Sequence, residues 1–304
     1  HRQVRHLAKL TDDLLDADIA LTGGTISGLT SSDHITWEAL ITPTANAQGA
    51  GTIQVQADAV HNIATNGNAA STVLNFDYDT KAPAITSIDP PADGYYKAGD
   101  VISYTVHYDE NITVTGSTLT LPIIIGTTTR NAPRTGSTAN SLTFSYTIAD
   151  GEEDADGLAL GTAIALNGST IKDAVGNNAA LAVSNSAPDV HVDAISPDVS
   201  SVNVPPNGHY KANDVLTFTV NTSEDVTVMG IPSINVVIGT DTRKALYTGS
   251  TGSDALTFEY TVVQGENDLD GITVGASINL EGGSIRDIAQ NNIDLALNNI
   301  APTN

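Results

Sequence analysis

The sequence predicts an all-β protein made of tandem β-sandwiches, and three observations carry that prediction. Thr, Val, Ile, Asn, Gly and Asp are abundant while Lys and Glu are thin, which is the vocabulary of strands and turns. Alternation with a period of two recurs, and helical periodicity is nearly absent: in LTFSYTI, Leu142, Phe144, Tyr146 and Ile148 share one face while Thr143, Ser145 and Thr147 take the other. The chain also repeats itself. YKAGDVISYTV from Tyr96 matches YKANDVLTFTV from Tyr210, SLTFSYTI from Ser141 matches ALTFEYTV from Ala255, and GSTIKDAVGNN from Gly168 matches GGSIRDIAQNN from Gly282, each pair 114 residues apart.

A repeat of that length is the size of an immunoglobulin-like sandwich. The expected units are 1–80, 81–194 and 195–304. In the first, ITWEALITPTANAQGAGTIQVQADAVHNIATNGNAASTVLNFDYDT supplies strands from the middle of a sandwich to its end, and nothing before it reads like the opening strands, so this unit is partial or diverged. Its basic opening, HRQVRHLAKL, is unlike the rest and stays open between a remnant of truncation, added sequence, and the start of a short helix through Leu14 and Leu15. Trp37 shares a strand face with Ile35, Ala39 and Ile41, which favours core packing over a sugar platform.

In the second unit strands are expected at 84–88, 101–108, 119–125, 128–134, 141–149, 163–172 and 179–192. Seven strands separated by turn signals make a Greek-key Ig-like sandwich. The third unit repeats the pattern: Leu216, Phe218 and Val220 answer to Ile102, Tyr104 and Val106, and Leu256, Phe258, Tyr260 and Val262 to the Leu142 set. Between units, YDTKAP (78–83) and VDAISP (192–197) each end a strand on an Asp and place a Pro four residues later. Such joints are short and stiff, and successive units are expected to form an extended rod.

Charge narrows the functional classes. With 35 acids against 12 bases the net charge is −23, which opposes binding to nucleic acid or anionic membrane and favours hard cations. There is no cysteine, and the seven histidines lack paired ligand spacing, so disulfides and zinc are not expected. No apolar run approaches the roughly 18 residues of a membrane helix, and no signal peptide opens the chain, which reads as a segment of something longer. There is no G-x-S-x-G elbow, phosphate-cradling glycine loop or H-E-x-x-H, and the adjacent Glu152 and Glu153 sit on one hairpin without the cleft a glycosidase pair needs. No catalytic residue and no enzymatic activity are expected, and the chain is expected to be a monomer.

The remaining chemistry is in the carboxylates. Strand directions in an Ig-like sandwich bring the incoming joint, the loop after 101–108 and the loop after 163–172 to one end of the unit. That places Asp79, Glu110 and Asp173 together, with Asn177, and in the next unit Asp193, Glu224 and Asp287, with Asn291. Three carboxylates in one place repel unless neutralised, and Ca²⁺, which takes six to eight oxygens, suits them. The alternative is structural: the first Asp of each set ends a strand and the last forms a side-chain-to-backbone turn.

A second acidic feature lies at the opposite end. GEEDADG (Glu152, Asp154, Asp156) and GENDLDG (Glu266, Asp268, Asp270) resemble the opening of an EF-hand loop, but its twelfth position would be Ala163 or Ser277 in place of a bidentate Glu. What remains is either a less complete calcium site, helped by Asp100 or Asp214, or a solvated hairpin tip. In the first unit Asn62 fills the slot of Asp173, and Thr65 that of Gly176, so a site there is expected to be weak or absent.

Taken together, GYYKAGDVISYTVHYDENITVTG, LTFSYTI, NGSTIKDAVGNNAAL and the strand-rich stretch of the first unit resemble the tandem bacterial Ig-like repeats of very large surface adhesins and haemagglutinin-like proteins of Gram-negative bacteria, often exported by type I secretion. The resemblance covers about residues 20 to 304. It implies an extracellular or cell-surface stalk, rigidified by calcium at Asp79, Glu110 and Asp173 and again at Asp193, Glu224 and Asp287. Its partners would be the neighbouring repeats, with host or surface ligands reached through other parts of the parent protein. Two rival readings remain: a ligand-binding module using Tyr95, Tyr96, His209 and Tyr210, or an accessory region of a secreted hydrolase.

Overall fold

In the computed structural model, which describes residues 2–5, 14–62, 64–184 and 186–301, the chain is all-β and built as consecutive Ig-like sandwiches. The repeated cores follow from the alternation. In Val101–Tyr108, every second side chain is buried, and the strand pairs antiparallel with Ser141–Thr147 so that Tyr104 faces Phe144 and Val106 faces Leu142. The opposite faces carry hydroxyls that bond across the strands, Ser103 to Ser145 at 2.9 Å and Thr105 to Thr143 at 3.2 Å. Val215–Thr222 and Ala255–Thr261 repeat this register, with Phe218 opposite Phe258. Both phenylalanines and their counterparts Tyr104 and Phe144 are fully buried, and each such side chain contributes about 1.5–3 kcal/mol.

Two separate cores result, one running from Ile102 to Ala194 and one from Val199 to Leu297. Around the first, Ile85–Asp89, Val101–Tyr108, Ser141–Thr147, Thr128–Ser137, Thr120–Ile125, Leu158–Leu160 and Ser186–Ala187 form one seven-stranded sheet. Glu153–Asp154, Val190–Asp193 and Gly94–Tyr96 form a small three-stranded one, and Thr113–Thr115 pairs with Thr170–Lys172.

Four of the seven expected strands fall within a few residues of those observed, and Ser141–Thr147 stops two short of its expected end. The last two differ more. The expected 163–172 contains a strand only at Thr170–Lys172, and 179–192 divides into Ser186–Ala187 and Val190–Asp193. The intervening backbone makes single bridges such as Ala163 to Ala182 and Lys172 to Asn178. Short apolar runs rich in Ala and Asn look extended in sequence without forming a ladder.

The first segment also differs from expectation. Ile19–Leu21 and Gly24–Ser31 are strands that precede ITWEAL, so more of a sandwich is present than its sequence pattern reveals. The reason is local: Gly24–Ser31 carries a register shift between Ser27 and Thr30, where Gly28 has a positive φ of 65°, and that bulge breaks the period-two signal. Arg2–Arg5 pairs with Thr36–Pro43 as a strand, while the rest of the basic opening, residues 1 and 6–10, and residues 11–13 after it lie outside the described residues. Beyond Leu14 and Leu15 the only turn of helix among the described residues is the 3₁₀ turn Asp16–Asp18. No helix among the described residues is long and apolar enough to cross a membrane.

Candidate metal centres at the joints

Each joint is bonded from both sides. Asp79 closes the strand Leu74–Asp79, opposite Gln48, and Asp193 closes Val190–Asp193, opposite Glu153. From the following repeat, the Asn177 side-chain N–H₂ donates to the Asp79 and Lys81 carbonyls at 3.2 Å, and that of Asn291 to the Asp193 carbonyl at 2.8 Å. Asn177 and Asn291 therefore tie the joint backbone to the loop that carries Asp173 or Asp287.

That loop is shaped by its own aspartate. Asp173 Oδ1 accepts the backbone N–H groups of Val175, Gly176 and Asn177 at 2.6–2.9 Å, and Asp287 Oδ1 accepts that of Asn291 at 2.8 Å. Both parts of the structural reading are seen, since Asp79 and Asp193 end strands and Asp173 and Asp287 build turns. The second oxygens of the latter pair also bond the Asn side chain, at 2.7 and 2.9 Å. Asn62 accepts from the N–H groups of Ala64 and Asn66 in the same manner, so a neutral amide suffices for the turn alone.

The carboxylates converge as the topology requires. Asp79, Glu110 and Asp173 each place an oxygen within 4.8 Å of the others, and Asp193, Glu224 and Asp287 do the same. Like charges at that distance repel by roughly 3 kcal/mol per pair at an effective dielectric of 20. Asp173 and Asp287 are buried, and Glu110 Oε1 is buried without a hydrogen-bond partner. Burial, then Asp79 and Asp109, push the Glu110 carboxyl up against the pull of Lys81. Burial, then Asp193 and Asp287, push that of Glu224 up to about 7. Asp193 is raised by burial and by Asp287 and Glu153. Burial would also raise Asp173, but its hydrogen bonds from Asn177, Gly176 and Val175 prevail and hold it below its ordinary value. All six donors are hard oxygens and each set is strongly anionic, which fits Ca²⁺ and not a soft metal.

The acidic tips are placed differently from expectation. Glu152 is buried and accepts from Arg130 Nε, from the Tyr146 hydroxyl at 2.8 Å and from the Ala149 N–H at 2.8 Å. Glu266 repeats this with Arg243, Tyr260 and Val263. Asp154 and Asp268 hold the hairpin glycines Gly126 and Gly239 by their N–H groups, at 2.7 and 2.8 Å. Asp156 and Asp270 are exposed, and Asp100 and Asp214 accept from the N–H groups of Lys97 and Lys211. Apart from the exposed Asp156 and Asp270, these acids are engaged by neighbours in separate structural roles, and among the described residues no three of them converge as the joint carboxylates do. Sequence spacing suggested a ligand loop because it cannot show that Arg130 and Arg243 reach back to the first acid of each run.

The three tyrosines considered for ligand recognition have structural partners as well. Tyr96 and Tyr210 donate to the carbonyls of Ala92 and Pro206, and Tyr95 stacks on His191 with ring centres 5.0 Å apart.

With the geometry in place, comparison with known proteins adds the following. Residues 7–78 match the family model of a bacterial Ig-like domain. That is the first segment, whose sandwich character was hardest to read. No curated protein matches the chain. Among solved structures, a DUF4785-family protein of Legionella pneumophila is similar over 67% of this chain and 52% of its own, at 10% identity and TM-score 0.24, so the chain spans about half of it. A marsupial T cell receptor covers 84% of this chain and 77% of its own at 11% identity and TM-score 0.27, and domains 4–9 of the surface layer protein SbsC cover 98% and 42% at 12% identity and TM-score 0.20.

Proposed function

We propose that this chain is a non-catalytic stalk segment of a bacterial cell-surface or secreted adhesin, in which calcium held at each joint fixes the angle between successive sandwiches. The observation that carries the reading is the recurrence of one arrangement at two joints: one carboxylate from the preceding repeat and two from the following repeat, gathered within 4.8 Å. An ion shared by ligands on both sides of a joint opposes bending there. The bacterial Ig-like match of residues 7–78 supports a surface or extracellular setting, and the net charge of −23 favours cations over nucleic acid or anionic lipid.

Asp79, Glu110 and Asp173 would hold one ion and Asp193, Glu224 and Asp287 the other, each ion supplying positive charge to carboxylates that otherwise repel. Extracellular calcium modules bind with dissociation constants of about 10⁻⁴–10⁻³ M. At tenfold excess one such ion stabilises the folded state by about 1.4 kcal/mol, little for a sandwich but enough to bias a hinge.

Thermal unfolding and small-angle scattering, each with calcium and with chelator, test the proposal. Chelation is expected to lower the melting temperature and to shorten the maximum dimension as the joints loosen. If both are unchanged, the calcium-stiffened stalk is wrong.

A further inference from the structure

The small sheet at the trailing end of the second repeat sets three residues in a row at the second joint. Glu153 lies opposite Asp193 on one side, and on the other Tyr96 lies beside Val192, so that Lys97, the next residue, stands beside Asp193. Neighbouring strands are about 4.8 Å apart, so Lys97 sits one strand spacing away from the chain that crosses the joint. Its backbone is held there by a closed turn: the Lys97 N–H donates to Asp100 Oδ2 and the Asp100 N–H to the Lys97 carbonyl, both at 3.0 Å, with Gly99 at a positive φ of 87°.

From this base the Lys97 ammonium donates across the joint to the Gln290 carbonyl of the third repeat, at 3.0 Å. Gln290 belongs to the loop that Asp287 shapes, and its φ of 69° is one that few residues other than glycine adopt; Gly176 takes this place in the second repeat. The loop is kept in shape by the Gln290 N–H, which donates to the Asp287 carbonyl at 3.3 Å, and by the Asn291 N–H, which donates to Asp287 Oδ1 at 2.8 Å. The charges that raise Asp193 and Glu224 are those of neighbouring acids, so the Lys97 ammonium serves the loop backbone and not the triad.

We propose that Lys97 is a positioning residue that fixes the rotation of the third repeat about the second, and that it does so without an ion. The continuous chain and the Asn291 side chain, which donates to the Asp193 carbonyl at 2.8 Å, join the two repeats at Asp193 itself. Attachment at one place leaves rotation about it free. Lys97 adds a second point of attachment, one strand away and on the same loop, and removes that freedom. The inference extends the reading of the joints as fixed angles, but it concerns rotation and needs no calcium, so the two can fail separately. A single exposed tie of this kind biases an orientation by about two- to fivefold.

The chain has no cysteine, so Thr129→Cys and Thr242→Cys, at exposed and corresponding positions of the second and third repeats, can carry a pair of spin labels on the full chain. The distance distribution between the labels is read in chelator by electron spin resonance. Lys97→Met keeps the stem and the turn, which is made by backbone groups, while removing the donor. It is expected to lower the main peak relative to all other distances by about two- to fivefold, whereas Lys97→Arg, which keeps a cationic donor, retains that peak. Lys211→Met, at the same place in the third repeat and remote from this joint, is expected to leave the distribution unchanged. Thermal unfolding of each variant confirms that both sandwiches remain folded. A Lys97→Met distribution equal to that of the parent, or an equal broadening in Lys211→Met, overturns the proposal. Adding calcium to the labelled parent reports on the ion alone.

Discussion

The two joints share a carboxylate triad but differ in the charges around it. At the first, the residue opposite Asp79 is Gln48, whose side chain donates to Asp79 at 3.1 Å, and Lys81 pairs with Asp109 close by. At the second, the residue opposite Asp193 is Glu153, and Asp198 adds to the field at Glu224. The cation that moderates Glu110 at the first joint, Lys81, has Ile195 as its counterpart at the second. One triad is thus partly neutralised by a neighbouring cation, and the other has further acids beside it in place of that cation. Calcium should therefore matter more at the second joint, and that difference can be broken or sharpened experimentally.

The largest effect is expected where the triad and the fold share a residue. Asp287→Ala removes a buried carboxylate of the proposed site and the acceptor of the Asn291 N–H, so it should cost about 2 kcal/mol even in chelator. Asp287→Asn should keep the turn, because Asn62 does so in the first segment, while abolishing calcium stabilisation at the second joint. Thermal unfolding of both variants with and without calcium separates the roles. If the Asn variant is still stabilised by calcium as wild type is, Asp287 is structural only. Next in size is chelation of the wild-type protein, expected to cost about 1.4 kcal/mol per ion at tenfold excess. Calorimetry should assign more of that loss to Asp287→Asn than to Asp173→Asn; equal losses would mean that the surrounding charge is irrelevant.

A smaller effect isolates the neighbours. Glu153→Gln gives the second joint the amide of the first, and Gln48→Glu does the reverse. Calcium affinity should fall about two- to fivefold in one and rise by a similar factor in the other, because ligand-field charge tunes such sites and exposed charge is screened. Titration calorimetry on the two proteins decides it, and movement of both affinities in the same direction would refute the comparison.

The strand alternation, the duplicated cores and both triads were legible in the sequence because they depend on period and recurrence. Val101–Tyr108 was found to the residue, and Asp79, Glu110 and Asp173 were grouped by topology alone. What escaped depended on long-range geometry. Gly94–Tyr96 is a strand only because Val190–Asp193 arrives beside it, and nothing in GYY announces that. The acidic run from Glu152 looked like a metal loop because its ion-pair partner, Arg130, is 22 residues away on another strand. In Gly24–Ser31 the bulge at Gly28 disguised a strand that has ordinary pairing on either side.

The subtlest expectation concerns protons. Glu224 has an ordinary value of 4.5 and is pushed up to about 7 in the folded chain, so between those values the folded state keeps a proton that the unfolded state has lost. Stability from this group is full below about pH 4.5 and is lost as the pH rises through 7. Glu152 and Glu266 run the opposite way: burial would raise them, but Ala149 and Tyr146, and Tyr260 and Val263, lead the hydrogen bonds that hold them low, so their contribution is lost only as the pH falls below the ordinary range. The two windows do not overlap. In chelator, wild type should therefore melt about 2 °C higher at pH 6 than at pH 8 on account of Glu224, and Glu224→Gln should remove that increment. Glu110→Gln should remove less of it, since Lys81 already opposes the rise at the first joint. Calcium should erase the wild-type difference by competing with the same proton. A Glu224→Gln protein whose melting temperature changes between pH 6 and pH 8 as wild type does would show that the second triad carries no unusual charge, and the contrast between the joints would fail with it.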